Sequence, residues 1–187
     1  MAATARAARL RAEGRDIISL TAGEPDFDTP THVADAGVAA IRNGQTRYTD
    51  VGGTATLKDA IIAKFARDNG LTYERAQILV SCGAKQTLFN LCMAVLDPED
   101  EAVIPAPYWV SYPEMIRMVH GVPVIVAPED GSFRPRMKDI EAAFSSYTRA
   151  IIVNSPNNPS GVMFPEALIS EIVGFCERKG IFLIMDD

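Results

Sequence analysis

Ala150-Ile-Ile-Val-Asn154 is a short apolar run that stops abruptly at a segment of turn formers, Ser155-Pro-Asn-Asn-Pro-Ser-Gly161. Similar short apolar runs occupy residues 77–82, 101–105, 123–127 and 181–185. Stretches with helical spacing separate most of these runs. Near-continuous apolar strands that alternate with helices are typical of a mainly parallel sheet covered on both faces. The sequence therefore predicts an α/β protein, built as a three-layer α/β/α sandwich.

Helices are also predicted ahead of these strands. One precedes Gly14, a second covers about residues 32–43, and a third covers about residues 55–69, with Thr54 as its N-cap and Gly70 as its end. A fourth is expected over residues 85–96. The final run, residues 181–185, is apolar on both faces and would need further helices to cover it. We therefore expect the natural polypeptide to continue well beyond Asp187.

Composition excludes several classes of function. The 187 residues carry a net charge of −6, and no cluster of Lys and Arg suited to nucleic-acid phosphates is present. The three cysteines show no CxxC spacing or paired histidines, which favours reduced core thiols over a metal site. The start contains spaced arginines but no long apolar block, which favours a docking helix and a cytoplasmic protein; a transit peptide is the alternative.

Four loops that follow predicted strands carry residues suited to a ligand, because ligands bind at the carboxyl ends of strands in such sheets. Gly83 and Ala84 open a helix, where free N–H groups favour an anion, although a tight turn alone explains the glycine. Trp109 follows another strand and can stack on a flat ring or simply plug the sheet edge. Asn158 can offer an amide to a ligand oxygen, or belong to a plain turn.

Asp186 is the fourth candidate, directly after the apolar run 181–185. A carboxylate at that depth needs a cation or a donor, and a protonated ring nitrogen is a fitting partner. Capping of a following helix is the alternative reading, and both roles are compatible. A phosphate cradle, an aromatic platform, an amide and a buried acid together match the needs of pyridoxal 5′-phosphate (PLP).

Three longer motifs carry a family resemblance. Residues 20–30, Leu-Thr-Ala-Gly-Glu-Pro-Asp-Phe-Asp-Thr-Pro, residues 107–113, Pro-Tyr-Trp-Val-Ser-Tyr-Pro, and residues 154–161, Asn-Ser-Pro-Asn-Asn-Pro-Ser-Gly, are nearly verbatim motifs of the class I, fold-type I PLP-dependent aminotransferases. The chain resembles their prokaryotic aspartate aminotransferase subgroup. The resemblance implies an N-terminal segment at residues 1–44 and a PLP-binding large domain at residues 45–187 that is incomplete at its C-terminus.

The resemblance also implies roles for single residues. Gly83, Ala84 and Lys85 resemble the phosphate loop, Trp109 the stacking aromatic, Asn158 the donor to the phenolic oxygen, and Asp186 the partner of the pyridine nitrogen. Trp109 and Asn158 also border the substrate.

Further roles concern the substrate and the neighbouring subunit. Gly23 resembles a backbone contact near the substrate α-carboxylate, and Lys85 resembles the lysine that recognises a distal carboxylate; a solvated lysine is the alternative. Tyr48 resembles the tyrosine that reaches the cofactor phosphate of a neighbouring subunit, which implies a homodimer with shared sites.

The implied reaction is transfer of an amino group between aspartate, or another dicarboxylic amino acid, and 2-oxoglutarate. None of the five lysines matches the Schiff-base motif of the family; they are Lys58, Lys64, Lys85, Lys138 and Lys179. We therefore expect these 187 residues to be inactive without the rest of the protein. A PLP-dependent lyase or a non-catalytic binding or regulatory protein on the same fold remain alternatives.

Overall fold

The computed structural model describes residues 2–20, 23, 25–128 and 131–187. The chain divides into two compact units, Met1–Thr49 and Asp50–Asp187. The first contains helices α1 (Ala2–Ala12) and α2 (Thr31–Arg42). Its α2 begins after Pro30 and buries none of its residues within the chain. Among the described helices of both units, none has the length and apolarity needed to cross a bilayer.

The second unit holds the sheet. It begins with α3 (Ala55–Asn69), a short 3-10 helix (Arg75–Gln77) and α4 (Ala84–Val95). Strands and helices then alternate: β1 (Glu101–Pro105), α5 (Ser111–Met118), β2 (Val122–Val126), α6 (Met137–Ala143), β3 (Thr148–Asn154), α7 (Glu166–Lys179) and β4 (Phe182–Asp186). All pairings are parallel, in the order β2-β1-β3-β4. The predicted parallel α/β architecture is confirmed.

Alternating side chains of the strands feed two separate cores, as the period of two in a strand requires. Ala102 and Ile104 of β1 join a cluster that includes residues of α4 and α5. Val103 faces the other side and packs with Ile140 of α6 and Ile172 of α7. Each core residue named here is essentially inaccessible to solvent. The sheet therefore lies between two helical layers, in agreement with the predicted three-layer sandwich.

Local signals set both ends of α3 as predicted, and also the end of α7. The side chain of Thr54 accepts a hydrogen bond from the N–H of Leu57, which caps α3. Gly70 ends the same helix with a φ of 67°, and Gly180 ends α7 with a φ of 66°. Both lie in the left-handed region that glycine adopts without the steric penalty of a Cβ atom.

The strand predicted over residues 77–82 is wrong, and Gln77 belongs to the short 3-10 helix. Residues 78–82 are not paired in the sheet, although Ile78 has extended torsion angles of −109° and 124°. The N–H of Val80 donates instead to the carbonyl of Gly52 at 3.0 Å. An apolar run indicates an extended backbone, but a strand also needs a neighbour for its ladder, and no described strand pairs with this segment.

Two further predictions need correction. Cys82 is exposed rather than a core thiol, whereas Cys92 and Cys176 are buried as expected, and burial raises the pKa of both buried thiols. The loop predicted to carry Trp109 after β1 ends early, because α5 begins at Ser111 and contains Pro113 in its first turn. Proline is tolerated there, since the first N–H groups of a helix have no partner within it.

Candidate functional site

A cavity of about 270 Å³ lies at the carboxyl ends of the strands in the second unit. It is lined by the start of α4, the segment after β1, the segment after β3 and the end of β4, through the residues Ala84, Trp109, Tyr112, Asn154, Asn158, Asp186 and Asp187. The position is the one that parallel α/β sheets use for ligands. Four residues selected from the sequence, Ala84, Trp109, Asn158 and Asp186, thus border one cavity.

Asp186 is the last residue of β4 and lies beside Asn154, the last residue of β3. The side-chain amide of Asn154 donates to the backbone carbonyl of Asp186 at 2.7 Å. The hydroxyl of Tyr112 donates to Oδ2 of the Asp186 carboxylate. Asp186 is half-buried. The two hydrogen bonds hold it through both its backbone and its side chain.

Tyr112 was not selected from the sequence. It is 2% exposed, and burial raises the pKa of its hydroxyl, as do its hydrogen bond to Asp186 and the negative charge of that residue. The hydroxyl consequently stays protonated at neutral pH and can act as a donor. The sequence signal for Tyr112 was its spacing from Trp109. Side chains three residues apart in a helical turn can contact each other, and Tyr112 lies three residues after Trp109.

Trp109 lies just ahead of α5. Its ring meets the ring of Tyr112 edge-on, with centroids 5.4 Å apart and planes at 80°. The ammonium group of Lys85 lies 5.0 Å from the centroid of the Trp109 ring. A cation over an indole ring gains electrostatic attraction from the ring quadrupole. Trp109 therefore connects α4 to the residue that holds Asp186.

The start of α4 offers backbone donors. Gly83 precedes the helix with a φ of 90° and a ψ of 161°, and a Cβ atom placed there would meet nothing within 4 Å. The N–H groups of Gln86 and Thr87 bond to the carbonyl of Gly83. The N–H groups of Ala84 and Lys85 lie at the very start of the helix. They have no acceptor within it, because no helical carbonyl precedes them by one turn. No acidic residue occupies this first turn, so its positive end can attract an anion.

Side chains fasten the loop after β3. The N–H of Asn158 donates to Oδ1 of Asn154 at 2.6 Å. The buried Asn157 donates from its amide to the carbonyl of Pro107 at 2.9 Å and accepts from the hydroxyl of Ser160. These bonds hold the Trp109 segment and the Asn158 segment to one another. Asn158 itself is exposed at the cavity wall.

Lys85 lines a second cavity, of about 470 Å³, between α4 and α5. Most of that lining is apolar and includes Phe89, Met115 and Met118. Gly83 and Lys85 are thus adjacent to the smaller cavity, through Ala84 and Trp109, without lining it. In the described part of the chain, no three His, Cys, Asp or Glu residues gather as metal ligands would.

Two predicted site residues belong to the first unit. Tyr48 is fully exposed and lines a shallow hollow with Thr46 and Arg47. Gly23 is exposed and has open space where a Cβ atom would lie. The motif around Gly23 also includes residues 21, 22 and 24, which lie outside the described residues.

Comparisons with known proteins show which proteins the chain resembles. Residues 15–187 match the family model described as aminotransferase class I and II. The chain is 54% identical over 165 residues to the aspartate/prephenate aminotransferase of Nitrosomonas europaea, covering 88% of this chain and 42% of that protein. It is 44% identical to the aspartate aminotransferase of Bacillus subtilis, covering 100% of this chain and 48% of the relative. The chain thus spans about half the length of these curated relatives.

Solved structures similar to the chain are also aminotransferases. The aspartate aminotransferase from Thermus thermophilus with maleate superposes with a TM-score of 0.94 at 42% identity, covering 99% of this chain and 49% of that one. The alanine aminotransferase from Pyrococcus furiosus reaches a TM-score of 0.93 at 30% identity, with coverage of 98% and 48%. From its matched residues and its architecture, the chain belongs to the class I and II aminotransferase family.

Proposed function

We propose that the complete protein is a PLP-dependent aminotransferase that moves an amino group between aspartate and 2-oxoglutarate. The observation that carries the proposal is the single cavity bordered by Ala84, Trp109, Asn158 and Asp186. A phosphorylated pyridine needs an anion site, a stacking surface, an amide donor and an acid, and these residue types meet those needs one for one. In this proposal residues 45–187 form the cofactor-binding domain and residues 1–44 the N-terminal segment.

The residues would divide the binding of the cofactor among them. The open N–H groups of Ala84 and Lys85 at the start of α4 are donors for its phosphate. Gly83 shapes the turn ahead of them, and its own N–H donates to the carbonyl of Ser81 at 2.8 Å. Trp109 stacks on the ring of the cofactor, and Asn158 donates to its phenolic oxygen. When bound, PLP supplies the electron sink that amino-group transfer requires.

Asp186 has the task of keeping a proton on the ring nitrogen. A carboxylate favours a cation beside it, and more strongly where water is partly excluded. The acid suits this role because its hydrogen bonds to Tyr112 and Asn154 hold it at the end of β4. Its partner is therefore a protonated nitrogen placed inside the cavity.

Substrate recognition is assigned to two residues in addition to Trp109 and Asn158. Gly23 offers its backbone near the α-carboxylate of the amino acid, and the ammonium group of Lys85 attracts a distal carboxylate. The names of the Nitrosomonas and Bacillus relatives support aspartate as a substrate. Tyr48, which is fully exposed in the single chain, contacts the cofactor phosphate of a second subunit in a cytoplasmic homodimer.

The test is amino-group transfer by the complete gene product. With PLP added, we expect transfer from aspartate to 2-oxoglutarate, measured as oxaloacetate formation, and slower transfer from alanine. The Asp186→Ala variant should lose at least about a hundredfold in kcat, because the removed charge contributes roughly 3 kcal/mol or more. Wild-type protein that binds PLP but releases ammonia or carbon dioxide without transfer would show a lyase instead.

The shared site has its own test. Tyr48→Phe keeps the ring but removes the donor, so it should weaken phosphate binding by roughly tenfold. In a mixed dimer of one Tyr48→Phe subunit and one Asp186→Ala subunit, Asp186 of the first subunit and Tyr48 of the second belong to the same site. That one site of each mixed dimer should be intact. Activity that stays at the level of the separate variants would contradict a shared site.

A further inference from the structure

Tyr112 holds Asp186 without being one of the residues that the proposed function assigns to the cofactor. The side chain is buried, and its hydroxyl donates to only one of the two carboxylate oxygens of Asp186, Oδ2. Within the part of the chain that the structure describes, Oδ1 accepts no hydrogen bond from protein. Asp186 nevertheless borders the cavity. The carboxylate thus has one oxygen held by the protein and one available to a ligand.

The position of Tyr112 is fixed independently of Asp186. It lies in the first turn of α5, and its ring packs in the core formed with α4 and the sheet. Its ring also meets Trp109 edge-on at 5.4 Å. A buried aromatic ring held by such packing has little rotational freedom, so its hydroxyl is a fixed donor rather than a mobile one.

The donor also has a fixed protonation state. Burial, reinforced by the charge of Asp186, raises the pKa of the Tyr112 hydroxyl above its ordinary value. At neutral pH the contact therefore has one direction, from the tyrosine hydroxyl to the carboxylate. Tyr112 therefore offers Asp186 a hydrogen-bond donor that does not itself ionise at neutral pH.

We propose that Tyr112 is a positioning residue that orients the Asp186 carboxylate toward the ring nitrogen of the cofactor and, through the same ring, fixes the stacking surface of Trp109. The inference rests on the proposed function, since it concerns how Asp186 meets the cofactor. It assigns Tyr112 no contact with the cofactor itself. The effect of its hydroxyl must therefore be transmitted through Asp186, whereas the ring, which Tyr112→Phe retains, acts on Trp109.

A double-mutant cycle tests this dependence. The complete gene product, freed of cofactor, is prepared as wild type, Tyr112→Phe, Asp186→Ala and the double variant. Binding of pyridoxamine 5′-phosphate is measured by equilibrium dialysis, because this amine form of the cofactor cannot bond covalently to a lysine. We expect Tyr112→Phe to raise the dissociation constant roughly five- to twentyfold in the wild-type background. In the Asp186→Ala background the same change should have almost no effect.

Tyr73 supplies the matched control. Its ring also meets an aromatic neighbour edge-on, Phe65 at 5.3 Å, and it does not line the cavity. Tyr73→Phe should leave the dissociation constant unchanged. Circular dichroism of each variant checks that the fold is retained.

The outcomes separate the two proposals. Equal effects of Tyr112→Phe with and without Asp186, or no effect in either background, would overturn the positioning role while leaving the PLP site intact. Wild-type protein that fails to bind the probe, or that binds it equally well after Asp186→Ala, would overturn the proposed function itself.

Discussion

The side chain of Asn154 joins the tips of two neighbouring strands to the loop between them: its amide donates to the carbonyl of Asp186 at 2.7 Å, and its Oδ1 accepts from the N–H of Asn158 at 2.6 Å. Asn154 thus connects two residues that line the cavity, Asp186 and Asn158. The two bonds explain how an exposed loop holds Asn158 beside Asp186.

Asn154→Ala removes both bonds and should loosen the loop. A hydrogen bond of this kind contributes about 1 kcal/mol, so the N–H of Asn158 should exchange with solvent roughly fivefold faster. Hydrogen exchange followed by NMR measures this rate. Asn69→Ala, which removes an exposed amide that accepts from Lys64, is the control and should leave the rate unchanged. Unaltered exchange at Asn158 after Asn154→Ala would show that the loop is held by other means.

Lys85→Ala tests the assigned recognition of a distal carboxylate. Loss of a charged contact costs about 1.5–3 kcal/mol, so kcat/KM for aspartate should fall at least about tenfold, while kcat/KM for alanine should change little. Lys64→Ala is a matched control, because Lys64 also lies over an aromatic ring, that of Phe65, at 5.4 Å. An equal loss for both amino acids would assign Lys85 to cofactor binding alone.

Gly83→Ala tests the backbone at the start of α4. At a φ of 90° an alanine is strained although its Cβ atom meets nothing within 4 Å, and the cost is about 1–3 kcal/mol. We expect a lower free energy of unfolding and weaker binding of inorganic phosphate to the apoprotein. Gly37→Ala, in the middle of α2, has the same open surroundings without a positive φ and should be neutral or slightly stabilising. Urea unfolding compares the two, and equal effects would contradict the assigned strain.

Tyr112 also predicts how stability depends on pH. A tyrosine in an unfolded chain has a pKa of about 10, and the pKa of Tyr112 is raised in the folded chain. Above pH about 10 the unfolded state loses this proton while the folded state keeps it. The free energy of unfolding should therefore fall as pH rises, by at most about 1.4 kcal/mol per pH unit from this group.

Tyr112→Phe should remove that part of the slope, whereas Tyr73→Phe keeps Tyr112 and should retain it. Urea unfolding at several alkaline pH values measures the slopes. A slope identical in wild type and Tyr112→Phe would mean that the hydroxyl is not held in its protonated form by the fold.

The sequence predicted the architecture well because apolar period and turn residues report directly on buried strands. The strands around Ala102 and Ile151 are buried on both sides of the sheet, so their patterns are nearly continuous. The strand around Ile184 buries that residue but leaves Phe182 and Met185 exposed. Residues 78–82 show the limit of such patterns: apolarity does not say whether a neighbouring strand is there to pair with.

The candidate site also contains residues that the sequence indicates and contacts that it does not. Gly83, Trp109, Asn158 and Asp186 could be selected because each follows an apolar run and is unusual in its position. The contacts of Tyr112 and Asn154 with Asp186 could not be predicted, because they span 74 and 32 residues of sequence. Only the parallel register of β3 and β4 brings Asn154 beside Asp186.

A crystal structure of the complete gene product with PLP bound tests the proposed cofactor site most directly. We expect the ring nitrogen to lie within hydrogen-bonding distance of an Asp186 carboxylate oxygen, about 2.7–3.2 Å, with Trp109 stacked on the ring and the phosphate at the start of α4. A cofactor seated elsewhere, or a ring nitrogen that faces away from Asp186, would contradict it.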